Sequence, residues 1–284
     1  IVFCTTGIFD IYARLGRFNP DIDHIIIDEA HVCIEASENM ELAIAICREN
    51  GILIDYLSAT VDTANLKETL KVSHVVRAIE ERKPIWIHNV GASMEESIVD
   101  LVGKTLVKPD LTSPYFPKAK NETTMQIVSD VLQKDRAKGF LVMVNSFKGE
   151  NSDANKIARL LQNAPYSKDI EILLLAGEIV RKSKKDFDSR LKKILEEKRK
   201  FVIIATSVVE MGITFKNLDF VATMDSGYNQ ISIGDTDLAD IDALGANALR
   251  QRIGRAGREQ SGIAYITKEV GASYTNLSDH DLNS

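Results

Sequence analysis

Cysteine is scarce in this chain: only Cys4, Cys33 and Cys47 occur, and no two stand in C-x-x-C spacing. Neither a zinc site nor a disulfide framework is suggested, and a reducing intracellular compartment is the economical expectation. No apolar stretch approaches the roughly 18 residues a membrane-spanning helix requires, and no basic-then-apolar signal pattern opens the chain. Positive charge is also in short supply, the balance being −6. Broad, non-specific adhesion to nucleic acid is therefore disfavoured, although a local basic groove is not. What is present is ordinary globular composition. The 284 residues are 44% hydrophobic and 27% charged, enough chain for two domains with separate cores.

Apolar, β-rich runs alternate with helical patterns, which predicts an α/β fold of parallel sheets with helices on both faces. In the first part, strands are expected at 1–5, 22–28, 51–57 and 72–76, with another near 84–88, and helices at 8–15, 36–49 and 63–70. In the second, strands are expected at 139–145, 170–175, 201–205, 218–224 and 262–266, with helices at 152–163, 183–198 and 246–253. Between them, Lys108-Pro109-Asp110 and Ser113-Pro114-Tyr115-Phe116-Pro117 block regular structure. A connector or insertion at 90–121 is therefore expected between domains at 1–89 and 122–284. The segment 229–242 alternates polar and apolar residues around Gly234-Asp235, a hairpin signal. Arg181 to Lys200 holds ten basic and four acidic residues, but Phe187, Leu191, Ile194 and Leu195 recur at helical spacing. The charges are most simply the solvated face of a helix.

Two short words carry the chemistry. Asp28-Glu29-Ala30-His31 follows the apolar run His24 to Ile27, placing adjacent carboxylates where parallel strands end and ligands bind. One carboxylate can hold a hard cation such as magnesium, and the other can activate water. The second word is Gln251-Arg252-Ile253-Gly254-Arg255-Ala256-Gly257-Arg258. Gln251, Arg255 and Arg258 stand four and three residues apart, so they are expected to share one face of a helix about two turns long and to meet a phosphate. Gly254 and Gly257 cost helix stability and call for close packing or ligand approach. Ser58-Ala59-Thr60, after a second apolar run, is a weaker signal, since hydroxyls past a strand end often only cap a helix.

Together these words resemble the DEAH-type branch of the superfamily 2 RNA helicases, and Val208 to Thr214 is worded between cellular DEAH and flavivirus-type members. The resemblance implies two RecA-like domains, the first incomplete, with ATP and Mg2+ bound between them. Hydrolysis would drive translocation on, and unwinding of, single-stranded or duplex RNA in the cytoplasm. Asp28, Glu29, His31, Gln251, Arg255 and Arg258 are the implied catalytic set, with Asp28 and Glu29 at the metal and Gly212 beside the nucleotide. Ser58 and Thr60 would couple hydrolysis to strand movement, and Thr5, Thr6, Ser146, Lys148 and Thr206 would touch the nucleic-acid backbone. The hairpin would be a wedge at the duplex junction. Auxiliary domains or protein partners outside the chain are compatible with this.

The phosphate-gripping Gly-x-x-x-x-Gly-Lys-Ser/Thr expected upstream of Asp28 does not occur among the preceding 27 residues. The simplest expectation is a fragment of a longer protein, weak or inactive by itself in ATP hydrolysis. Gly103-Lys104-Thr105 is a decoy, because Ile98 occupies the required first glycine position and an apparent helix, Met94 to Val102, precedes it. Three alternatives stand beside the RNA motor: a DNA translocase, a catalytically inactive RNA-binding scaffold, and a kinase built on that decoy, which fails on motif order.

Overall fold

The computed structural model describes residues 4–21, 23–28, 30, 38–58, 72, 74–76, 83–133, 135–209, 215–233 and 236–271. The chain divides into two compact units, Ile1–Ala78 and Ile79–Ser284. In the first, helix α1 (Thr6–Arg14) turns Phe9 and Ala13, one helical turn apart, into a small core. Strand β1 (His24–Ile27), helix α2 (Glu38–Glu49) and strand β2 (Leu53–Tyr56) follow. The two strands pair in parallel, with Ile27 opposite Tyr56, a pairing that needs a crossover such as α2 provides. Ile27, Met40, Ala43, Ile44 and Cys47 close the core. The strand expected at 1–5 is not found among its described residues. Cys4 and Thr5 are irregular, and Thr5 has extended backbone just before α1, because the spacing of Phe9 and Ala13 favours a helix there. The described residues of 72–76 are likewise irregular, and the expected helix at 63–70 lies outside the described residues.

The second unit is built on a six-stranded parallel sheet. Its strands are β3 (Ile85–Asn89), β4 (Lys138–Met143), β5 (Glu171–Leu175), β6 (Lys200–Ala205), β7 (Leu218–Met224) and β10 (Gly262–Thr267), in spatial order β3-β10-β7-β4-β6-β5. Burial on both faces explains why these strands read as continuous apolar runs. Successive residues of β4 divide between the two layers: Phe140 and Val142 join one core, Leu141 and Met143 the other. The first layer is completed by helices α3 (Met94–Val102), α4 (Glu122–Leu132) and α5 (Asp153–Gln162). The other takes α7 (Lys184–Glu196) and α8 (Ala246–Ile253), preceded by the short α6 (Gly177–Lys182). Phe187 and Ile194 are buried, with Leu191 and Leu195 packed beside them, as the helical spacing predicted. Strands β8 (Ser226–Ile233) and β9 (Thr236–Ala243) form a separate antiparallel hairpin with Ile233 opposite Thr236, and the expected turn at Gly234-Asp235 lies outside the described residues.

The division of the chain differs from the sequence expectation. The strand expected near 84–88 forms, but it pairs with β10, Gly262 opposite Ile85, and so belongs to the second unit. Much of 90–121 is core rather than connector. Helix α3 opens with a capping box in which Ser93 and Glu96 satisfy each other's amides, and Met94, Ile98, Leu101 and Val102 are fully buried. The prolines punctuate only the turns after Val107. Gly103-Lys104-Thr105 is the start of a π-helical turn, Gly103–Val107, continuing α3, with the Thr105 hydroxyl donating to the Leu101 carbonyl at 2.7 Å. It has no strand before it and its hydroxyl is occupied, so it is not a phosphate loop. Helices α4 and α6 were not anticipated, although Asn121 and Thr124, which form a capping box at the start of α4, were legible.

Candidate functional site

In the first unit, Asp28 stands exposed one residue past the end of β1. Ser58 stands half-buried two residues past the end of β2. Backbone bonds tie these strand ends together: Leu57 N donates to Ile27 O at 2.9 Å, and Ala30 N to Leu57 O at 3.0 Å. Asp28 and Ser58 therefore share the carboxyl edge of one parallel pair, where α/β sheets present ligand groups. Ala30 is fully buried. Thr5 and Thr6 lie exposed at the start of α1, where the Thr5 carbonyl accepts from Phe9 N at 3.0 Å. Glu29, His31 and Thr60 lie outside the described residues.

In the second unit, the carboxyl edge gathers the residues expected to meet a nucleic-acid backbone. Met143 pairs with Ala205, so the chain leaves β4 toward Asn145 and Ser146 beside the point where it leaves β6 toward Thr206. Ser146 is locked at the first turn of α5. Its amide donates to Asp153 Oδ2 at 2.9 Å, and its Oγ accepts from Asp153 N at 2.8 Å. The Ser146 hydroxyl proton thus stays aimed away from that bond. Thr206 is half-buried, its amide reaching Leu175 O at 3.4 Å, and Lys148 is exposed. Gly212 lies outside the described residues.

The arginine word departs from the expected geometry. Helix α8 ends at Ile253 with Gly254 as its cap, so Arg255 and Arg258 do not continue the face that carries Gln251. Gly257 then takes φ +70°, a left-handed conformation unfavourable for side-chained residues. Packing explains this second glycine. A Cβ there would come within 2.5 Å of Ile85 Cγ1 and 3.0 Å of the Lys83 carbonyl. The turn after α8 is thereby pressed against the amino-terminal end of β3. The guanidiniums are sorted across this region: Arg252 on the helix and Arg255 before Gly257 are buried, at 4% and 7% exposure, and Arg258 after it is exposed. Gly257→Ala combines backbone strain with overpacking, at a cost of about 2 to 4 kcal/mol. Thermal unfolding of the variant should show a clear drop in midpoint, and an unchanged midpoint would contradict this account of the turn.

Some residues that hold the site were not anticipated. Arg252 lies on α8, and side chains there lean toward the helix start. Its Nη1 reaches the Thr223 hydroxyl and the Ser226 carbonyl, each at 3.3 Å, at the carboxyl end of β7. Asn145 Nδ2 donates to Ser226 Oγ at 2.8 Å, joining the ends of β4 and β7. Asp225, buried, accepts from the amides of Glu269, Val270 and Gly271 at 2.8 to 3.0 Å. It thus fixes the chain beyond β10. A periodicity argument could have marked Arg252, three residues after the core residue Leu249. Nothing local marked Asp225.

Comparison with known proteins places this fold. The helicase conserved C-terminal domain matches residues 120–260. No curated protein sequence matches the chain. Among solved structures it is similar to the NS3-like helicase from Alongshan virus, with 14% identity and a TM-score of 0.57, covering 92% of this chain and 54% of that one. It is similar also to the Escherichia coli DEAH/RHA helicase HrpB, with 18% identity and a TM-score of 0.64, covering 91% and 30%. A second structure of that protein, described as a DExH-box NTPase, gives 17% identity and a TM-score of 0.67, covering 94% and 31%. The chain thus spans about a third to a half of the length of these relatives. At such identities they establish a RecA-like helicase fold. Among the described residues, no helix is long and apolar enough to cross a membrane. Residues 120–260 of the chain are a helicase conserved C-terminal domain, and its motifs resemble those of the DEAH and flavivirus-like helicases.

Proposed function

We propose that the chain is the core of an ATP-dependent helicase that couples hydrolysis to translocation on RNA and its unwinding. The observation that carries this reading is the sorting of the arginine word. Arg252 is buried on the core face of α8, Arg255 is buried just before the left-handed Gly257, and Arg258 just after it is exposed, all inside the segment that matches a helicase domain. An exposed guanidinium in this segment suits the charge that develops on a departing phosphoryl group. A solvated basic helix face would need neither the glycines nor the burial.

The donor set in the first unit fits magnesium. That ion takes one or two carboxylates and completes its shell with waters and substrate phosphates, and Asp28 is an exposed carboxylate at a strand end. Asp28, with Glu29 beside it in sequence, would hold the ion, which when bound neutralises charge on the phosphate oxygens. Glu29 accepts a proton from the attacking water. Gln251, Arg255 and Arg258 orient and stabilise the γ-phosphate. Ser146, Lys148 and Thr206, with Thr5 and Thr6, grip phosphodiester oxygens without reading base identity. His31, Ser58 and Thr60 link the nucleotide state to the grip on the strand, Gly212 lets backbone approach the nucleotide, and the β8–β9 hairpin parts the duplex.

Glu29→Gln tests the assignment, because it keeps size and removes the base. In a form of the protein that turns over nucleotide, RNA-stimulated hydrolysis should fall by about 10²- to 10⁴-fold while RNA binding persists. Unchanged hydrolysis and unwinding would favour a non-catalytic scaffold instead.

A further inference from the structure

The amino-terminal edge of the six-stranded sheet carries a cluster that the residues above do not use. An open cavity of about 700 Å³ lies where β6 begins at Lys200 and Asp169 leads into β5. Its lining holds five cations, Lys108, Lys168, Lys198, Arg199 and Lys200, against one anion, Asp169. In a chain whose balance is −6, such a concentration is out of line with the average surface.

Two of the five are committed to the frame. Arg199 Nη1 meets Glu171 Oε1 at 2.6 Å and Glu197 Oε2 at 3.8 Å, and Lys200 Nζ donates to the Val107 carbonyl at 2.6 Å. Among the described residues, Lys108, Lys168 and Lys198 make no ion pair. The scaffold beneath them is fixed. The Tyr166 hydroxyl donates to Val99 O at 2.5 Å, and its ring lies so close to Gly103 that a Cβ there would fall 2.9 Å from Tyr166 Cε1. Gly103 opens the π-helical turn, a geometry rare in proteins and frequent at functional sites. Lys198 is held at φ 54°, where side-chained residues are strained, by its amide bond to Leu195 O at 3.2 Å and the Arg199 bond to Ile194 O at 3.0 Å. These two bonds are the usual helix-ending turn of α7, and they fix where the Lys198 side chain starts.

We propose that this cavity is a second phosphate-binding site, taking backbone phosphates of the same nucleic acid that crosses the carboxyl edge. It rests on the nucleic-acid reading given above. Lysine offers three donors and no acceptor, and the Tyr166 hydroxyl is already engaged. The cavity therefore suits an anion rich in acceptors and carries no means of reading a base. It is remote from the first contact. Lys200 and Thr206 flank the length of β6, about 20 Å at the usual strand rise. A strand would have to run on past the sheet to reach both, so only a long one gains from the second site.

The experiment compares anisotropy titrations of a long labelled single-stranded RNA with those of one too short to reach from Thr206 to Lys198. The chain itself, Lys168→Gln with Lys198→Asn, and Lys148→Ala would be used. Asparagine tolerates the left-handed backbone, and all three lysines are exposed, so folding should persist. The paired variant should bind the long RNA about tenfold more weakly, with a log–log salt slope shallower by about 1.4, and bind the short RNA unchanged. Lys148→Ala should weaken both lengths. Equal long-RNA affinity in the paired variant and the parent chain would overturn the site. So would equal weakening at both lengths, which signals only a general charge effect. Triphosphate binding abolished by the paired variant, with RNA binding intact, would also overturn it in favour of a small-anion pocket. Absence of RNA binding by the unsubstituted chain would sink the nucleic-acid reading itself.

Discussion

Arg258→Ala is expected to lower nucleotide turnover by about three to five powers of ten, the range for an arginine that stabilises a transferring phosphoryl group. The structure makes this variant cleaner than its neighbours. Arg258 is exposed where Arg255 is buried, so its truncation should cost less stability than that of Arg255. Arg255, at 7% exposure, lies within the fold, and Arg255→Ala should lower both turnover and the unfolding midpoint. The measurement is single-turnover hydrolysis alongside thermal unfolding, in a form of the protein that turns over nucleotide. Equal turnover in Arg258→Ala and the parent would remove the proposed role. A large loss of stability there would mean the residue is a strut rather than a finger. Lysine at 258 should rescue poorly, because a point charge cannot reproduce a planar fork of donors.

Asp219→Ala is the largest stability effect expected in the second unit. Asp219 opens β7 fully buried, and Arg136, 15% exposed at its side chain, meets it through both terminal nitrogens. Gln260 Nε2 adds a bond at 2.9 Å, and Arg136 Nη2 also donates to Asp130 O at 2.9 Å. Burial pushes the Asp219 carboxyl above its ordinary range, and the Arg136 guanidinium opposes that shift. Removing the carboxylate strands a largely buried guanidinium, at a cost of about 3 to 5 kcal/mol. For a unit of this size that lowers the midpoint by roughly 6 to 20 °C. Arg136→Met with Asp219→Leu should recover most of the loss, since a buried pair replaced by apolar groups of similar volume is often neutral. If Asp219→Ala unfolds with the parent, or the double variant is worse than the single one, the pair is not what fixes this edge. Neither change touches the carboxyl edge or the lining of the basic cavity, so RNA affinity below the midpoint should hold.

Local chemistry made much of the architecture legible. The alternation of apolar runs and helical patterns is a property of short windows, so β4, β5, β6, β7 and β10 and helices α5, α7 and α8 fall within a few residues of expectation. The hairpin is equally local, set by alternation around Gly234-Asp235. The glycines in the arginine word announced close packing before any partner was known, and Ile85 is that partner for Gly257.

Pairing and burial are not local, and there the sequence left alternatives open. The strand Ile85–Asn89 reads the same whether it ends one sheet or edges another, and only the register with Gly262–Thr267 assigns it. Three arginines within seven residues carry the same charge and length. Which of them is buried depends on where α8 ends and on a left-handed turn pressed against a strand far away in sequence. The basic cavity is likewise assembled from Lys108, Lys168 and the stretch 198–200, which no window spans. The sequence by itself determined the kinds of elements and the chemical groups available, because propensity and periodicity act over a few residues. Tertiary structure decided which groups are buried, paired or offered to a ligand, because excluded volume and desolvation act between segments that meet only on folding.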